Sequence, residues 1–260
     1  MIKDYHLHPN IINAPEQADG FIEAALLRGI KRICFTDHMP LSVSPAHDRI
    51  PSGRVREYCS RVREIAKKYG DKISVKCGIE IDYHPSVLDE IHRVLDEGNF
   101  DYVLGSSHMH VFVKEFEKYT FNDFASMSIE NSILAAESGL FDVITHLDMY
   151  KFVFKSAKRF PLKDDGYDVT RHESEIKALL KVLSKRRVRL EINPHLAEGN
   201  GDLKLIYPEE TVVKWALSEG CLFSYGSDAH TEGSVGACLN ELYLNETYEK
   251  ALRIWEEADL

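Results

Sequence analysis

At 260 residues the chain is long enough for one α/β barrel, and its 44% hydrophobic content can fill such a core without a second domain. A formal charge of −10, from 32 basic against 42 acidic side chains, excludes the broad basic face that nucleic acid or an anionic membrane would need. No apolar leader precedes Lys3 and Asp4 and no later run has the length of a membrane span, so the expectation is a cytoplasmic protein, residues 1–260 forming one domain, with neither nucleic acid nor membrane as a partner. The cysteines Cys34, Cys59, Cys77, Cys221 and Cys238 are odd in number with no close pair, which points to small buried hydrophobes rather than to disulfides or a zinc ribbon.

In chain order the pattern is strand, loop, helix, repeated. Asp4-Tyr-His-Leu-His8 reads as a first strand whose two histidines share a face. Phe21, Ile22, Ala25 and Leu26 form a helical stripe between Pro15 and Arg28, stopped by Gly29. A second strand runs to Thr36, and Ser52 is the expected cap of a helix burying Val55, Tyr58, Val62, Ile65 and Tyr69, closed by Gly70. Strand three ends at Glu80, a helix over about 86–97 buries Val87, Leu88, Ile91 and Leu95, and strand four covers about 101–107. The aromatic and charged stretch from His110 to Phe121 reads as a loop, a candidate lid.

A helix from Asn122 to Ser138 is stopped by Gly139, and strand five leads to Thr145. The segment from Asp148 to Gly166 carries Lys151, Lys155, Lys158 and Arg159, either a phosphate-holding set or a solvated basic face. Thr170 and Glu173 have capping-box spacing ahead of Ile176, Leu179, Leu180 and Leu183. Strand six is 188–193, Pro208 opens a further helix at its first turn, Gly220 closes it, and strand seven leads to Asp228. A last helix around Tyr248, Leu252 and Trp255 is expected to pack across one end of the barrel. Seven such units make a parallel barrel whose strands all end on one mouth.

The residues at those strand ends carry the chemistry: His6 and His8, then Asp37-His38, Glu80, His108, His146, and Asp228 with His230. Imidazoles and carboxylates without thiolates suit zinc, manganese or iron in an open catalytic site. One ion takes roughly three protein ligands, so this set is sized for two or three. Adjacent ions lower the pKa of a shared water and neutralise charge developing in phosphoryl transfer, which predicts a phosphate-ester hydrolase acting on a small phosphorylated substrate.

In this order His6-Leu-His8, Thr36-Asp-His38, Gly78-Ile-Glu80, Ser106-Ser-His108, Thr145-His-Leu-Asp148 and Gly226-Ser-Asp-Ala-His230 resemble the PHP (polymerase and histidinol phosphatase) superfamily, most closely its histidinol-phosphatase branch. The resemblance spans nearly the whole chain and implies a distorted (β/α)7 barrel, TIM-barrel-like, with a trinuclear site for phosphomonoester hydrolysis, and so a place in histidine biosynthesis. By position it implies that His6, His8, Glu80 and Asp228 hold a first metal, that Glu80 bridges to a second completed by His108 and His146, and that His38 and His230 hold the third. A further ligand, commonly a histidine, is usual in the loop after the first pair. The stretch 9–16 here contains none, leaving Glu16 or Asn13 as candidate substitutes and His47 as another. Relatives often carry a Lys-Arg pair after His-Leu-Asp, whereas Lys151 is followed by Phe152, so Lys151 alone is the substrate-binding candidate.

Asp228 and His230 are the candidate donors of a proton to the leaving alkoxide. Asp4, Asp37 and Asp148 adjoin ligands and are candidates for orienting imidazoles, with a turn-capping role the alternative for Asp37. His92, His172 and His195 read as structural, His84 and His110 match no ligand position, and Glu191 and Asn193 either line the pocket or finish their strand. The competing functions are a PHP phosphoesterase for a nucleotide or other small ester, a metal-binding module without turnover, and an amidohydrolase on an eight-stranded barrel.

Overall fold

Seven short strands pair in parallel and in sequential order, β1 (Lys3–Leu7), β2 (Arg32–Phe35), β3 (Ser74–Asp82), β4 (Tyr102–Ser106), β5 (Val143–Ile144), β6 (Arg189–Ile192) and β7 (Leu222–Tyr225). The computed structural model describes residues 1–43, 48–155, 158–163, 166–198 and 202–258, so His47 lies outside the described residues. Helices alternate with the strands: α1 (Gln17–Leu27), α2 (Val55–Tyr69), α3 (Leu88–Glu97), α4 (Met109–Phe112), α5 (Phe121–Ser138), α6 (Tyr150–Lys155), α7 (Glu173–Arg186), α8 (Glu210–Ser218), α9 (Leu239–Leu244) and α10 (Glu246–Glu257). The architecture is the expected seven-stranded barrel, and no eighth strand pairs into it among the described residues. No described helix is long and apolar enough to cross a membrane.

The ring is joined between its first and last strands at the mouth. Leu7 bridges Ala229, and two 2.8 Å bonds, Asp228 N–H to the His6 carbonyl and His8 N–H to the Ala229 carbonyl, bind the two segments together. Three residues of β1 span two of β2 between Asp4 and Leu7, a bulge that changes which side chains face inward. Because of it Tyr5 and its neighbour His6 both reach across the barrel, Tyr5 to the ring of Tyr102 at 5.3 Å and His6 to the carboxylate of Glu191. Strict alternation would have sent one of them outward.

Where α10 meets the start of β1, aromatic packing plugs the far end. Trp255 stands edge-on to Tyr5 at 5.0 Å, its indole N–H donates to the Lys3 carbonyl at 3.3 Å, and the buried Lys3 ammonium caps Ala258 O at 2.7 Å. On the outer face the hydroxyl of Tyr58 in α2 reaches the carbonyls of Phe35 and Gly78, at 2.9 and 3.0 Å, and so fixes α2 to both β2 and β3.

Several local expectations change. Helix α2 is capped at Arg54 without a side-chain bond, so Ser52 is not its cap. Asp168 accepts from Thr170 N–H and opens a short 3-10 turn, Val169–His172, before α7, which displaces the Thr170–Glu173 box. Pro208 lies before the cap Glu209 rather than in the first turn of α8. The capping box that does form is Thr120–Asp123 on α5, and Gly139 closes that helix with φ +75°. Within the stretch read as a loop, 109–112 make the single turn α4. Strand β3 continues past Glu80 because Ile81 and Asp82 pair with Gly105 and Ser106.

Trp255→Ala should lower the unfolding free energy in a urea titration by about 3–5 kcal/mol, as expected for truncating a large buried aromatic. Leu244→Ala, on a side chain exposed at the end of α9, should change it by less than about 0.5 kcal/mol.

Candidate metal centre

Glu80 is the hub. Its side chain is buried at the mouth, with His146 Nε2 2.9 Å from one oxygen, His38 Nδ1 2.7 Å from the other, and the Nε2 atoms of His6 and His8 each 3.5 Å from that second oxygen. Asp228 enters from the segment after β7, 3.2 Å from His8 Nε2 and 3.7 Å from His6 Nε2. Tetrahedral donors bonded to one ion at about 2.0–2.2 Å stand about 3.3–3.6 Å apart, close to the 3.2 to 3.7 Å that separates the Nε2 atoms of His6 and His8 from the carboxylates of Glu80 and Asp228. His108 Nε2 lies 3.8 Å from Glu80, on the side of His146. The imidazole of His8 stacks on those of His38 and His230, at centroid distances of 4.4 and 4.5 Å, and those two rings are 6.0 Å from each other.

Two carboxylates that the ligand pattern does not contain set the tautomers. Glu191 accepts from His6 Nδ1 at 2.6 Å and Asp82 accepts from His108 Nδ1 at 2.5 Å, so each ring presents Nε2 with its lone pair to the centre. Glu191 also receives the His146 backbone N–H at 3.0 Å, and Arg49 anchors Asp82 at 2.6 Å. Their signal in the sequence is strand register: Asp82 shares a face with Glu80 two residues earlier, and Glu191 sits on a strand carrying no ligand of its own. The candidates for this role act elsewhere. Asp37 accepts from the backbone of Asn10 and Ile11, Asp4 from that of Ser227 and Gly236, and Asp148 pairs with Lys151.

Backbone geometry is bent to the same purpose. His146 and Asp228 have positive φ, 26° and 55°, a conformation that costs a non-glycine residue about 1–3 kcal/mol and persists only where the surroundings impose it. At Gly226 a Cβ would collide with His6 and with the Glu191 carboxylate, so the chain needs glycine there to let those side chains meet.

The donor set fits divalent cations. Among the described residues His6 Nε2 and both ring nitrogens of His8 are buried without a hydrogen-bond partner, and His38 Nδ1 and Glu80 Oε2 have only their 2.7 Å approach to each other, although buried polar atoms are nearly always paired. A cation answers nitrogen lone pairs and a carboxylate together. Electrostatics agree: burial would raise the Glu80 carboxyl, but His38, His6 and His108 outweigh it and hold it well below the usual range. Burial, with His38 and His230 adding to it, keeps His8 neutral as a ligand must be.

The expected residues therefore converge, with three exceptions. Glu16 is exposed at the start of α1, outside these clusters, and Asn13 is taken up by Asn10 and the Arg49 carbonyl. Lys151 does not line the mouth: its ammonium is buried against Asp148 at 2.8 Å and the Ile206 carbonyl at 2.7 Å. Among the described residues the arginines on the cavity, about 430 Å³, are Arg49 and Arg159, and its apolar wall includes Val111, Met149, Phe152 and Phe160. His110, half-buried with its ring 5.5 Å from that of Phe160, also lines it, whereas His84 caps the turn at Pro85. His172 is structural as expected, bonded to Asn122 at 2.9 Å, but His195 comes to the mouth beside Asp228 and His230.

The chain is 30% identical over 247 residues to a probable histidinol-phosphatase of Deinococcus radiodurans, covering 90% of this chain and 88% of that protein. It is 25% identical to the histidinol-phosphatase of Bacillus subtilis, covering 90% and 95%. In fold it is similar to the histidinol phosphate phosphatase of Lactococcus lactis, solved with zinc, L-histidinol and phosphate, with a TM-score of 0.76 at 20% identity over 96% of this chain and 93% of that one. The PHP domain model matches residues 4–195, and the chain belongs to the PHP domain family.

Proposed function

We propose that the protein is a metal-dependent histidinol-phosphatase, converting L-histidinol phosphate and water to L-histidinol and phosphate. The observation that carries the reading is the convergence of buried, unpartnered imidazole nitrogens on Glu80 beside an arginine-flanked cavity, in a chain whose 30%-identical relative bears that name. His6, His8, Glu80 and Asp228 would hold one ion, Glu80, His108 and His146 a second, and His38 with His230 a third. Zinc, manganese or iron so bound would supply Lewis acidity and a nucleophile at neutral pH.

The protein's own groups do the rest. Arg49 and Arg159 border the cavity, where guanidinium groups can pair with phosphate oxygens. Val111, Met149, Phe152 and Phe160 offer an apolar wall to the organic half of the substrate. Of the two expected proton carriers, Asp228 has its carboxyl held well below the usual range in the metal-free protein: burial would raise it, but His6, His195 and His8 pull it down. His230 Nδ1 faces the Asp228 carbonyl at 3.0 Å, which makes Nδ1 the donor there and leaves Nε2 its lone pair. On this reading both residues act as ligands, and water in the open mouth would protonate the leaving alkoxide.

Protein reloaded with zinc or manganese should release phosphate from L-histidinol phosphate, lose that activity to a chelator, and act far more slowly on a nucleoside monophosphate. Faster turnover of the nucleotide would discard the substrate, and silence on both would leave a binding module. Glu191→Gln and Asp82→Asn should each weaken metal affinity about 10–100-fold while the protein stays folded by circular dichroism. Burial depresses the imidazoles of His6, His38 and His146, yet neighbouring carboxylates, chiefly Glu191 for His6 and Glu80 for the others, raise them above the ordinary histidine value in the metal-free protein. Protons must then leave on metal uptake, so affinity should rise with pH through the range where these rings titrate and fall on acidification; calorimetry in buffers of different ionisation enthalpy should register the release.

A further inference from the structure

The loop after β1 brings no ligand to the outer side of the centre, where His38 and His230 stand, since Glu16 is exposed and Asn13 is engaged elsewhere. A different imidazole approaches from the end of β6. Donor atoms of His195, Asp228 and His230 all lie within 4.8 Å of one another, and the rings of His195 and His230 are 5.6 Å apart. Two donors on one ion bonded at about 2.0–2.2 Å can be at most about 4.4 Å apart, so a rotation of one exposed ring closes the set.

The placement of His195 is built. Asn193, fully buried, accepts from the His195 backbone N–H at 2.9 Å through its side-chain oxygen, and its amide donates to Asp228 at 3.2 Å and to Glu191 at 3.1 Å. One amide therefore ties the backbone of His195 to the carboxylate with which it would share a cation. Antiparallel bonds between Asn193 and Tyr207, at 2.7 and 2.8 Å, hold the amide's own backbone, and Pro194 stiffens the step between the two residues. The His195 ring itself makes no hydrogen bond to the described residues, which leaves its nitrogens free for a ligand.

We propose that His195 ligates a divalent cation together with Asp228 and His230, at a rim position that the segment after β6, rather than the loop after β1, supplies with a ligand. The proposal rests on the metal-centre reading above. It assigns a role to a histidine at the rim, where an ion exchanges with solvent more readily than one enclosed around Glu80.

The test is metal content and affinity of the full-length protein, dialysed against zinc and titrated with a competing chelator, for the wild type, His195→Ala and Glu16→Ala. His195→Ala should lose the weakest-held equivalent of zinc, or bind it at least about tenfold more weakly, while the tighter sites and the circular dichroism stay unchanged. Glu16→Ala should match the wild type. With cobalt in place of zinc, His195→Ala should lose part of the visible absorption that reports an imidazole ligand. Unchanged zinc content, affinity and cobalt spectrum in His195→Ala would overturn the proposal and leave the metal centre standing. Loss of the equivalent in Glu16→Ala instead would return the position to the loop. A wild type that binds no divalent ion would overturn both readings.

Discussion

A single buried carboxylate sets the requirements for the rest of this molecule. Glu80 carries its charge where water does not reach, and imidazoles from four other strand ends, His6, His38, His108 and His146, are brought round it. Isolated in a low dielectric such a charge is very costly, and it persists because positive or metal-binding groups compensate it. Much else in the fold serves that compensation: the bulge in β1, the strand closure between His6 and Asp228, and the positive φ of His146 and Asp228.

The surroundings of the centre form a second layer of constraint. Glu191 and Asp82 choose which nitrogen of His6 and of His108 is available, and both are themselves anchored, Glu191 by the His146 backbone and Asn193, Asp82 by Arg49. A ligand ring turned by its wrong nitrogen would offer a hydrogen where a lone pair is needed. Arg49 joins this layer to the cavity, because it both steadies Asp82 and lines the cavity wall. On the far side of that arginine a separate cavity of about 320 Å³ is lined by Asn13, Leu41, Glu90 and Arg93 and contains none of the clustered imidazoles.

The two ends of the barrel divide stability from chemistry. At one end Tyr5, Tyr102 and Trp255 pack edge to edge and the buried Lys3 ties α10 to β1. At the other the interior is nearly all titratable side chains. That end gains little from apolar burial and keeps strained backbone, so the aromatic end must compensate for it. The bulge after Asp4 marks the change from one regime to the other, since Tyr5 and His6 are neighbours in sequence yet belong to opposite ends.

The sequence by itself determined the strand and helix order and the candidate ligand set, because short apolar runs that each end in His, Asp or Glu carry both signals at once. His6, His8, His38, Glu80, His108, His146, Asp228 and His230 were legible for that reason, and the tertiary structure brings all of them to one mouth. Only the structure decided what stands behind them. Glu191, Asp82 and His195 lie outside the motif pattern, and which of them faces the centre depends on register, on a bulge and on a side-chain amide that joins residues 35 positions apart. Lys151 shows the reverse: a cation near the ligands in sequence is spent on Asp148, while Arg49 and Arg159 reach the cavity from loops whose course no local pattern specifies. Local periodicity fixes which residues can share a face, but the partner of a buried charge is set by long-range packing, which the linear order does not encode in any short window.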